Sequence, residues 1–208
     1  MNIVLASTSP RRHELLTRLN LPFNVVSVSV NEDILVGEQP QDYILRMVSI
    51  KANAYIQTLY GENVLSDSTL VITADTIGLL VNNEVLTKPT SKQHAFEMWQ
   101  KMAGTHHFVW TAVQATLIDQ ASKVVWSKQI IETTRVYFTQ LTMQEMNAYW
   151  ETAEPRDKAG GYAIQGLAAA WVERIEGSYT NVVGLPLAQT KALINQAYNY
   201  NKGQSLKV

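Results

Sequence analysis

Apolar residues in this chain follow two alternating periods, one typical of strands and one typical of helices, and this limits the folds open to it. Continuous apolar runs predict strands at residues 2–6, 24–30 and 69–75. Apolar side chains at helical spacing predict helices at residues 10–20 and 40–60. Interleaved strands and helices of this kind indicate an α/β fold.

Hairpin patterns also occur, and they change the kind of sheet that we expect. Residues 77–86 predict a hairpin that turns at Asn82 and Asn83. The rest of the chain predicts a helix from Ser91 to Gly104, β segments at 106–118 and 123–139, a capping box from Thr142 to Glu145, a strand at 169–177 and a last helix from about Leu187. Because strand–helix units and hairpins are combined, the sequence predicts a mixed sheet flanked by helices.

The composition is that of a globular protein, and it excludes several functions. Of the 208 residues, 46% are hydrophobic and 17% are charged, with a net charge of −1. This charge disfavours nucleic acid and anionic membrane surfaces as partners. The chain has no cysteine, which excludes disulfides, thiol catalysis and cysteine-bound zinc. No run approaches the roughly 20 apolar residues of a membrane span, and we expect a cytoplasmic location.

Two adjacent arginines open the first predicted helix, where the helix itself is already electropositive. A helix N-terminus has unpaired N–H groups and about half a positive charge, so acidic residues are usual there. Arg11 and Arg12 are suited to an anion such as a phosphate, bound together with Ser7. The alternative is a solvated pair of arginines after a Ser9 cap, with Pro10 at the first helical position. These residues alone leave both interpretations open.

Further charged residues lie in apolar surroundings. Asp75 ends a predicted buried strand, where ligands of α/β proteins gather, although a cap or turn role is the alternative. Glu32 and Asp33 follow a strand and suit either a metal or a turn. Lys51 lies close to the face of the second helix that we expect to be buried, so it needs an anionic partner or must snorkel. Lys88 lies in a loop, and a solvated lysine is its alternative.

The remaining inventory points to phosphate chemistry. His106 and His107 are adjacent on a predicted strand and face opposite sides, so we interpret them as structural or solvated rather than as metal ligands. What remains is a set of arginines, lysines and carboxylates. Such a set suits a polyphosphate substrate with a divalent cation, Mg²⁺ or Mn²⁺, because phosphoryl chemistry needs mainly positioning and charge stabilisation.

Four motifs occur in the order LASTSPRR (5–12), ADT (74–76), KAGGYAIQG (158–166) and GSYTNVVGLPL (177–187). Together they closely resemble the Maf family over about residues 3–193. The resemblance implies an elongated α/β fold with a mixed sheet and a deep cleft, similar to the inosine triphosphate pyrophosphatases. It implies one domain over residues 1–208, with two lobes around the cleft. It also implies hydrolysis of a nucleoside triphosphate to the monophosphate and pyrophosphate.

The resemblance further implies a role for each matching residue. Asp75 matches the acid that accepts the proton of the attacking water, and Asp75 and Glu32 match the positions of a Mg²⁺ or Mn²⁺ site. The matching substrate-binding positions are Ser7, Arg11, Arg12, Lys51, Thr76, Lys88 and Gln165. The chain departs from the family at Asn31, where a further acid is usual, and at Thr87, where glycine is usual.

Gln165 favours the family branch that acts on dTTP and UTP, because the 7-methyl-GTP branch carries an acid at this place. One amide offers a donor and an acceptor, which match the N3–H and a carbonyl of uracil or thymine. A flipped amide also suits cytosine, and the alternative is that the side chain only bonds the backbone of its own loop.

Questions of assembly and substrate stay open at this point. The resemblance and the aromatic residues Tyr198 and Tyr200, expected to be exposed, favour a homodimer. A nucleotide-binding regulator of cell division without turnover is the alternative of a different class. A 7-methyl-GTP-type or a modified pyrimidine substrate is the alternative within the enzyme class.

Overall fold

The computed structural model describes residues 1–59 and 65–205. In chain order, the elements are β1 (Asn2–Ala6), α1 (Pro10–Thr17), β2 (Asn24–Val26), α2 (Pro40–Thr58), β3 (Thr69–Leu79), β4 (Val85–Leu86), α3 (Lys92–Met102), β5 (His106–Ile118), β6 (Val124–Phe138), α4 (Met143–Glu151), β7 (Val172–Glu176), α5 (Tyr179–Val183) and α6 (Leu187–Ser205). Short 3₁₀ segments lie between α4 and β7.

Within the described residues the strands form one sheet in the order β2-β1-β3-β5-β6-β7, and β4 pairs with β3. Strand β1 is parallel to β2 and β3, which places Ile3 beside Leu70 and Leu5 beside Ile72. The pairs β3–β4 and β6–β7 are antiparallel. The predicted α/β fold with a mixed sheet and flanking helices is therefore confirmed.

The chain forms two compact units. The first comprises residues 1–75, 112–131 and 184–208, and the second comprises residues 76–111 and 132–183. In the first unit, α2 buries the stripe of Ile44, Met47 and Val48 that its helical period places on one face. The elongated shape, the deep cleft and the single two-lobed domain stay predictions.

An aromatic cluster forms the core of the second unit. Trp99 of α3 is fully buried, and its ring centroid lies 5.2 Å from that of Trp171 and 5.5 Å from that of Tyr149. Apolar residues of β5, β6 and α4 surround these rings. These ring contacts join α3 to α4 and to the 3₁₀ segment that precedes β7.

Two predicted strands have different bounds in the structure. Strand β2 ends at Val26, short of the predicted 24–30, because its partner β1 ends at Ala6 and the pair Ala6–Val26 closes the ladder. The strand predicted to end at Asp75 continues to Leu79, where it pairs with β4. Asp75 thus lies inside a strand, and the prediction that it ends one is wrong.

Other expected bounds are met or shifted by a few residues. Helix α1 stops at Thr17, after which the backbone closes i→i+3 turn bonds as far as Asn20. The strand predicted at 169–177 begins at Val172, because Leu167–Trp171 form a 3₁₀ segment. The capping box from Thr142 to Glu145 and the hairpin at residues 77–86 are confirmed.

Two expectations about the surface also have outcomes. Tyr198 and Tyr200 of α6 are partly buried, so the expectation that they are exposed is wrong. The helices in the part of the chain that the structure describes are too short or too polar to cross a membrane.

Candidate active site

The start of α1 holds Arg12 against two polar groups of the first unit. Arg12 Nε donates to the carbonyl of Gly184 at 2.9 Å, and Nη1 donates to Ser7 Oγ at 3.5 Å. Gly184 has a φ of +123°, a conformation that favours glycine. The Arg12 guanidinium is thus fixed by a carbonyl 172 positions away in the chain, which contradicts the solvated-pair interpretation for this residue.

The cap of α1 differs from the expected one. Ser9 occupies the N-cap position and Pro10 follows it, but the Ser9 side chain makes no capping bond. Instead, the Ser9 N–H donates to Ser7 Oγ at 3.2 Å. The first turn also contains no acidic residue. The electropositive end of α1 therefore carries Arg11 and Arg12 without the acid that usually compensates it.

Lys51 joins two carboxylates from separate parts of the first unit. Thr73 Oγ1 donates to the Val48 carbonyl at 2.8 Å, which seats α2 on β3. Asp75 lies two residues further on the same face of the strand, and Lys51 lies one turn further along the helix. Lys51 Nζ consequently lies 2.6 Å from Asp75 Oδ1 and 2.7 Å from Glu32 Oε1. Of the two alternatives for Lys51, an anionic partner or snorkelling, the structure shows the anionic partner.

The loop that carries Glu32 is attached to α2. The Tyr43 hydroxyl donates to the Glu32 carbonyl at 3.1 Å, and Arg46 Nη2 donates to the Asp33 carbonyl at 2.9 Å. Asn31 Oδ1 accepts the Asp33 N–H at 2.8 Å. The amide of Asn31 therefore shapes the turn at the position where the family usually has an acid.

The charges of these residues influence one another. Burial lowers the pKa of the Arg12 guanidinium, while Asp75 and Glu32 oppose this effect and Arg11 reinforces it. Burial also raises the pKa of Tyr43 to about 12, and the negative charges of Asp75 and Glu32 add to that rise. Arg12, Asp75 and Glu32 therefore belong to one electrostatic cluster.

The donor set of this cluster can be compared with what a divalent cation requires. Glu32 Oε1 and Asp75 Oδ1 converge on the single Nζ of Lys51. Mg²⁺ in phosphate-binding sites uses one or two carboxylates, with phosphates and water completing its shell, so this pair fits the cation. Within the described residues no group of three or more His, Cys, Asp or Glu side chains has metal-binding geometry.

An open cavity of about 530 Å³ in the first unit includes Glu32 in its wall. It is lined by Thr8, Ser27, Val28, Ser29, Val30, Asn31 and Glu32. Most of these side chains are small or polar, and Thr8 directly follows Ser7. The residues 27–30 that were predicted as strand therefore form a wall of this cavity instead.

Lys88 belongs to a loop of the second unit that is bonded to the KAGG motif. The Gly160 N–H donates to the Thr87 carbonyl at 3.0 Å, and Trp99 Nε1 donates to the carbonyls of Gly160 and Gly161 at 3.1 Å each. Thr87, which replaces the usual glycine, uses only its backbone here. The Lys88 side chain is exposed.

Thr76 and Gln165 also lie in the second unit. Thr76 Oγ1 lies 2.9 Å from Thr111 Oγ1, which donates to the Asn181 carbonyl at 3.0 Å. Gln165 is exposed and lies in a turn closed by the Gly166 N–H, which donates to the Ala163 carbonyl at 3.1 Å.

The two histidines have the environments of structural residues. His107 is fully buried, and its Nε2 lies 2.7 Å from the Tyr162 hydroxyl. Burial lowers the pKa of His107 to about 3, so the ring is neutral near neutral pH. His106 packs against the rings of Phe108 and Tyr137.

The structure thus brings together most, but not all, of the predicted site residues. One cluster of the first unit contains Ser7, Arg11, Arg12, Glu32, Lys51 and Asp75. Thr76, Lys88 and Gln165 belong to the second unit, and that they complete the same site stays a prediction. Sequence reasoning missed Gly184, whose carbonyl orients Arg12; the only signal for it was its place in the GSYTNVVGLPL motif.

Comparison with known proteins agrees with the motifs. Residues 2–197 match the family described as Maf-like protein, and the chain belongs to this family. It is 48% identical to the dTTP/UTP pyrophosphatase of Psychrobacter cryohalolentis, over 94% of this chain and 97% of that protein. It is 49% identical to the dTTP/UTP pyrophosphatase of Psychrobacter arcticus, over 96% of each chain. It is 40% identical to that of Acinetobacter baylyi, over 95% of this chain and all of that protein.

Among solved structures, the chain is similar to a nucleoside-triphosphatase, a dITP/XTP pyrophosphatase, of Mycobacterium abscessus. The TM-score is 0.37 and the identity 12%, over 68% of this chain and 76% of that one.

Proposed function

We propose that this Maf family protein is a nucleoside triphosphate pyrophosphatase that hydrolyses dTTP and UTP to the monophosphate and pyrophosphate. The proposal takes its substrates from the names of the curated relatives. One observation in the molecule carries its chemistry: the largely buried Asp75 carboxylate is held by Lys51, in the same cluster as Glu32 and Arg12.

Asp75 acts as the general base of this reaction. A water oxygen attacks phosphorus, its proton passes to the Asp75 carboxylate, the anhydride bond between the α- and β-phosphates breaks, and pyrophosphate leaves. Lys51 keeps the carboxylate in place through a bond of 2.6 Å. Arg11, Arg12 and the Ser7 hydroxyl bind the phosphates at the start of α1, where the uncompensated helix terminus also attracts anions.

A divalent cation, Mg²⁺ or Mn²⁺, belongs to the proposal. Glu32 and Asp75 would hold it. When bound, it would neutralise phosphate charge and lower the pKa of water. Because Lys51 already contacts both carboxylates, it competes with the cation for them and also compensates their charge before the substrate arrives.

The residues of the second unit complete the proposed recognition. Lys88 contributes positive charge toward the phosphates, and Thr76 contributes a hydroxyl to substrate binding. Gln165 hydrogen-bonds the base. The Gln165 amide presents one donor and one acceptor, which match thymine and uracil. An unpaired polar group at this contact would cost about 1–3 kcal/mol, which corresponds to roughly tenfold discrimination or more.

The function is tested by pyrophosphate release from dTTP and UTP, with other nucleoside triphosphates in the panel, each with and without Mg²⁺ or Mn²⁺. We expect Asp75→Asn to lower kcat by about 100-fold or more while the fold persists. Asp42→Asn is the matched control, because Asp42 is exposed in the first turn of α2. Undiminished turnover in Asp75→Asn would exclude Asp75 as the base, and dTTP binding without turnover in the parent protein would favour a nucleotide-binding regulator.

We further propose a cytoplasmic location, which the composition of the chain favours, and a homodimer, which the family resemblance favours. Sedimentation of the purified protein tests the dimer, and a monomer at micromolar concentration would contradict it.

A further inference from the structure

A carboxylate and a phenol hold both ends of the turn that contains Gln165. The Tyr149 hydroxyl donates to Glu154 Oε1 at 2.7 Å. The same hydroxyl accepts the Ala163 N–H at 3.2 Å, and Glu154 Oε2 accepts the Leu167 N–H at 3.4 Å. The residues two before and two after Gln165 are therefore bonded to one side-chain pair. We call Tyr149 and Glu154 the turn clamp.

The clamp lies directly against the turn, and only glycine leaves room for it. A Cβ added at Gly166 would lie 2.2 Å and 2.3 Å from the two oxygens of the Glu154 carboxylate. Gly166 directly follows Gln165 in the chain. The last glycine of the KAGGYAIQG motif is therefore explained by the close approach of a carboxylate. A positive φ does not explain it, because its φ is −106°.

Both clamp residues make further contacts. Tyr149 is buried against Trp171, with 4.6 Å between the ring centroids. Burial and the bond to Glu154 raise the pKa of Tyr149, so the hydroxyl stays protonated and remains a donor. Glu154 is fixed on its backbone side as well, where Lys158 Nζ donates to its carbonyl at 2.7 Å. The Tyr149–Glu154 bond thus joins a buried phenol to a residue whose backbone carbonyl is also bonded.

We propose that Tyr149 and Glu154 are positioning residues that fix the turn presenting Gln165 and thereby set the recognition of the pyrimidine base. This inference rests on the proposed function, in which Gln165 reads the base. Neither clamp residue touches the phosphates or Asp75 in this proposal. Loss of the clamp should consequently weaken nucleotide binding and base discrimination, and should leave the chemical step nearly unchanged.

The first measurement does not depend on activity. Hydrogen exchange of the Ala163 and Leu167 amides should be about tenfold faster or more in Glu154→Ala than in the parent protein, because Glu154 accepts one of these N–H groups and orients the acceptor of the other. Glu154→Gln keeps an acceptor for Tyr149 and should lie between the two. Glu151→Ala is the matched control, since Glu151 is an exposed acid of α4 that contacts Lys92 instead.

The second measurement is steady-state kinetics. In Glu154→Ala we expect KM for dTTP and UTP to rise about tenfold and kcat to change less than about twofold, with a smaller preference for dTTP over dCTP. Gly166→Ala should give a similar rise, because its Cβ displaces the carboxylate. In the double variant Glu154→Ala/Gly166→Ala the glycine substitution should raise KM no further, because the Glu154 carboxylate no longer occupies the space that the new Cβ needs.

The outcomes separate this inference from the proposed function. If the parent protein releases no pyrophosphate from dTTP or UTP, the proposed function fails, whatever the exchange rates are. If the parent protein is active and Glu154→Ala exchanges faster but keeps its KM and its base preference, the clamp is only structural and the inference is overturned. Unchanged exchange in Glu154→Ala would overturn it too. Should Glu154→Ala not fold, Tyr149→Phe and Glu154→Gln decide by the same criteria.

Discussion

Lys51 is the residue whose replacement tests the candidate active site most directly. Its side chain is 10% exposed, and its two partners differ: the Asp75 side chain is 12% exposed and that of Glu32 is 51% exposed. Removing one member of a buried ion pair costs about 3–5 kcal/mol, whereas an exposed pair contributes about 0–1 kcal/mol. The bond to Asp75 therefore contributes most of the stability that Lys51 provides. Because Arg12 still compensates part of the Asp75 charge, we expect Lys51→Met to lower the free energy of unfolding by about 3 kcal/mol.

The physical reason for this loss is the unpaired charge of Asp75, so a second substitution should relieve it. Asp75→Asn removes the charge and leaves Lys51 with Glu32, which should cost about 1–2 kcal/mol. The double variant Lys51→Met/Asp75→Asn should be more stable than Lys51→Met alone by about 1 kcal/mol, although it carries one more change. Additivity would predict the opposite order.

Urea unfolding near neutral pH, followed by tryptophan fluorescence, measures all four proteins of this cycle. Lys88→Met is the matched control, because Lys88 is an exposed lysine and its replacement should change the unfolding free energy by less than about 0.5 kcal/mol. If the double variant is less stable than Lys51→Met by the full cost of Asp75→Asn, the two side chains are not coupled. The assignment of Lys51 as the partner of Asp75 would then be refuted.

Two further predictions concern a buried histidine and a distant glycine. Burial lowers the pKa of His107 from 6.5 to about 3, so between about pH 6 and pH 4 the unfolded chain binds a proton that the folded chain does not. The free energy of unfolding should therefore fall by about 1.4 kcal/mol for each pH unit of acidification because of His107. His107→Gln should reduce the slope of unfolding free energy against pH by that amount. Equal slopes in the two proteins would contradict the prediction. Gly184→Ala should misplace the carbonyl that orients Arg12 and raise KM for dTTP about tenfold, and an unchanged KM in a folded variant would contradict this role.

The periodic pattern of the sequence is sufficient to predict that Lys51 lies near the core. A helix face is fixed by local spacing, so a lysine beside Met47 and Val48 lies near the core and either meets an anion or snorkels. What the pattern could not supply was the identity of the anions, because that depends on how α2 sits on β3. The bond from Thr73 to the Val48 carbonyl fixes this alignment.

Other features were out of reach of local patterns for different reasons. The end of β2 is decided by its partner β1 rather than by its own alternation of residues, so the predicted strand was too long. Asp75 was placed at a strand end because an acid interrupts an apolar run, whereas the ion pair with Lys51 lets the strand continue to Leu79. The Gly184 carbonyl is a backbone group, so no side-chain type in the sequence indicates its contact with Arg12.

The charge balance of the site cluster in the first unit gives a physical reason for a divalent cation in the proposed reaction. Its cluster holds three positive side chains, those of Arg11, Arg12 and Lys51, and two negative ones, those of Glu32 and Asp75, so three minus two leaves a net charge of +1. A nucleoside triphosphate carries roughly three to four negative charges near neutral pH. With the triphosphate bound, the cluster would carry a net charge of roughly −2 to −3, and the two carboxylates would repel the phosphate oxygens near them. A Mg²⁺ or Mn²⁺ ion held by those carboxylates would add two positive charges to this cluster. The acids that repel the phosphates would then contribute to binding them through the cation.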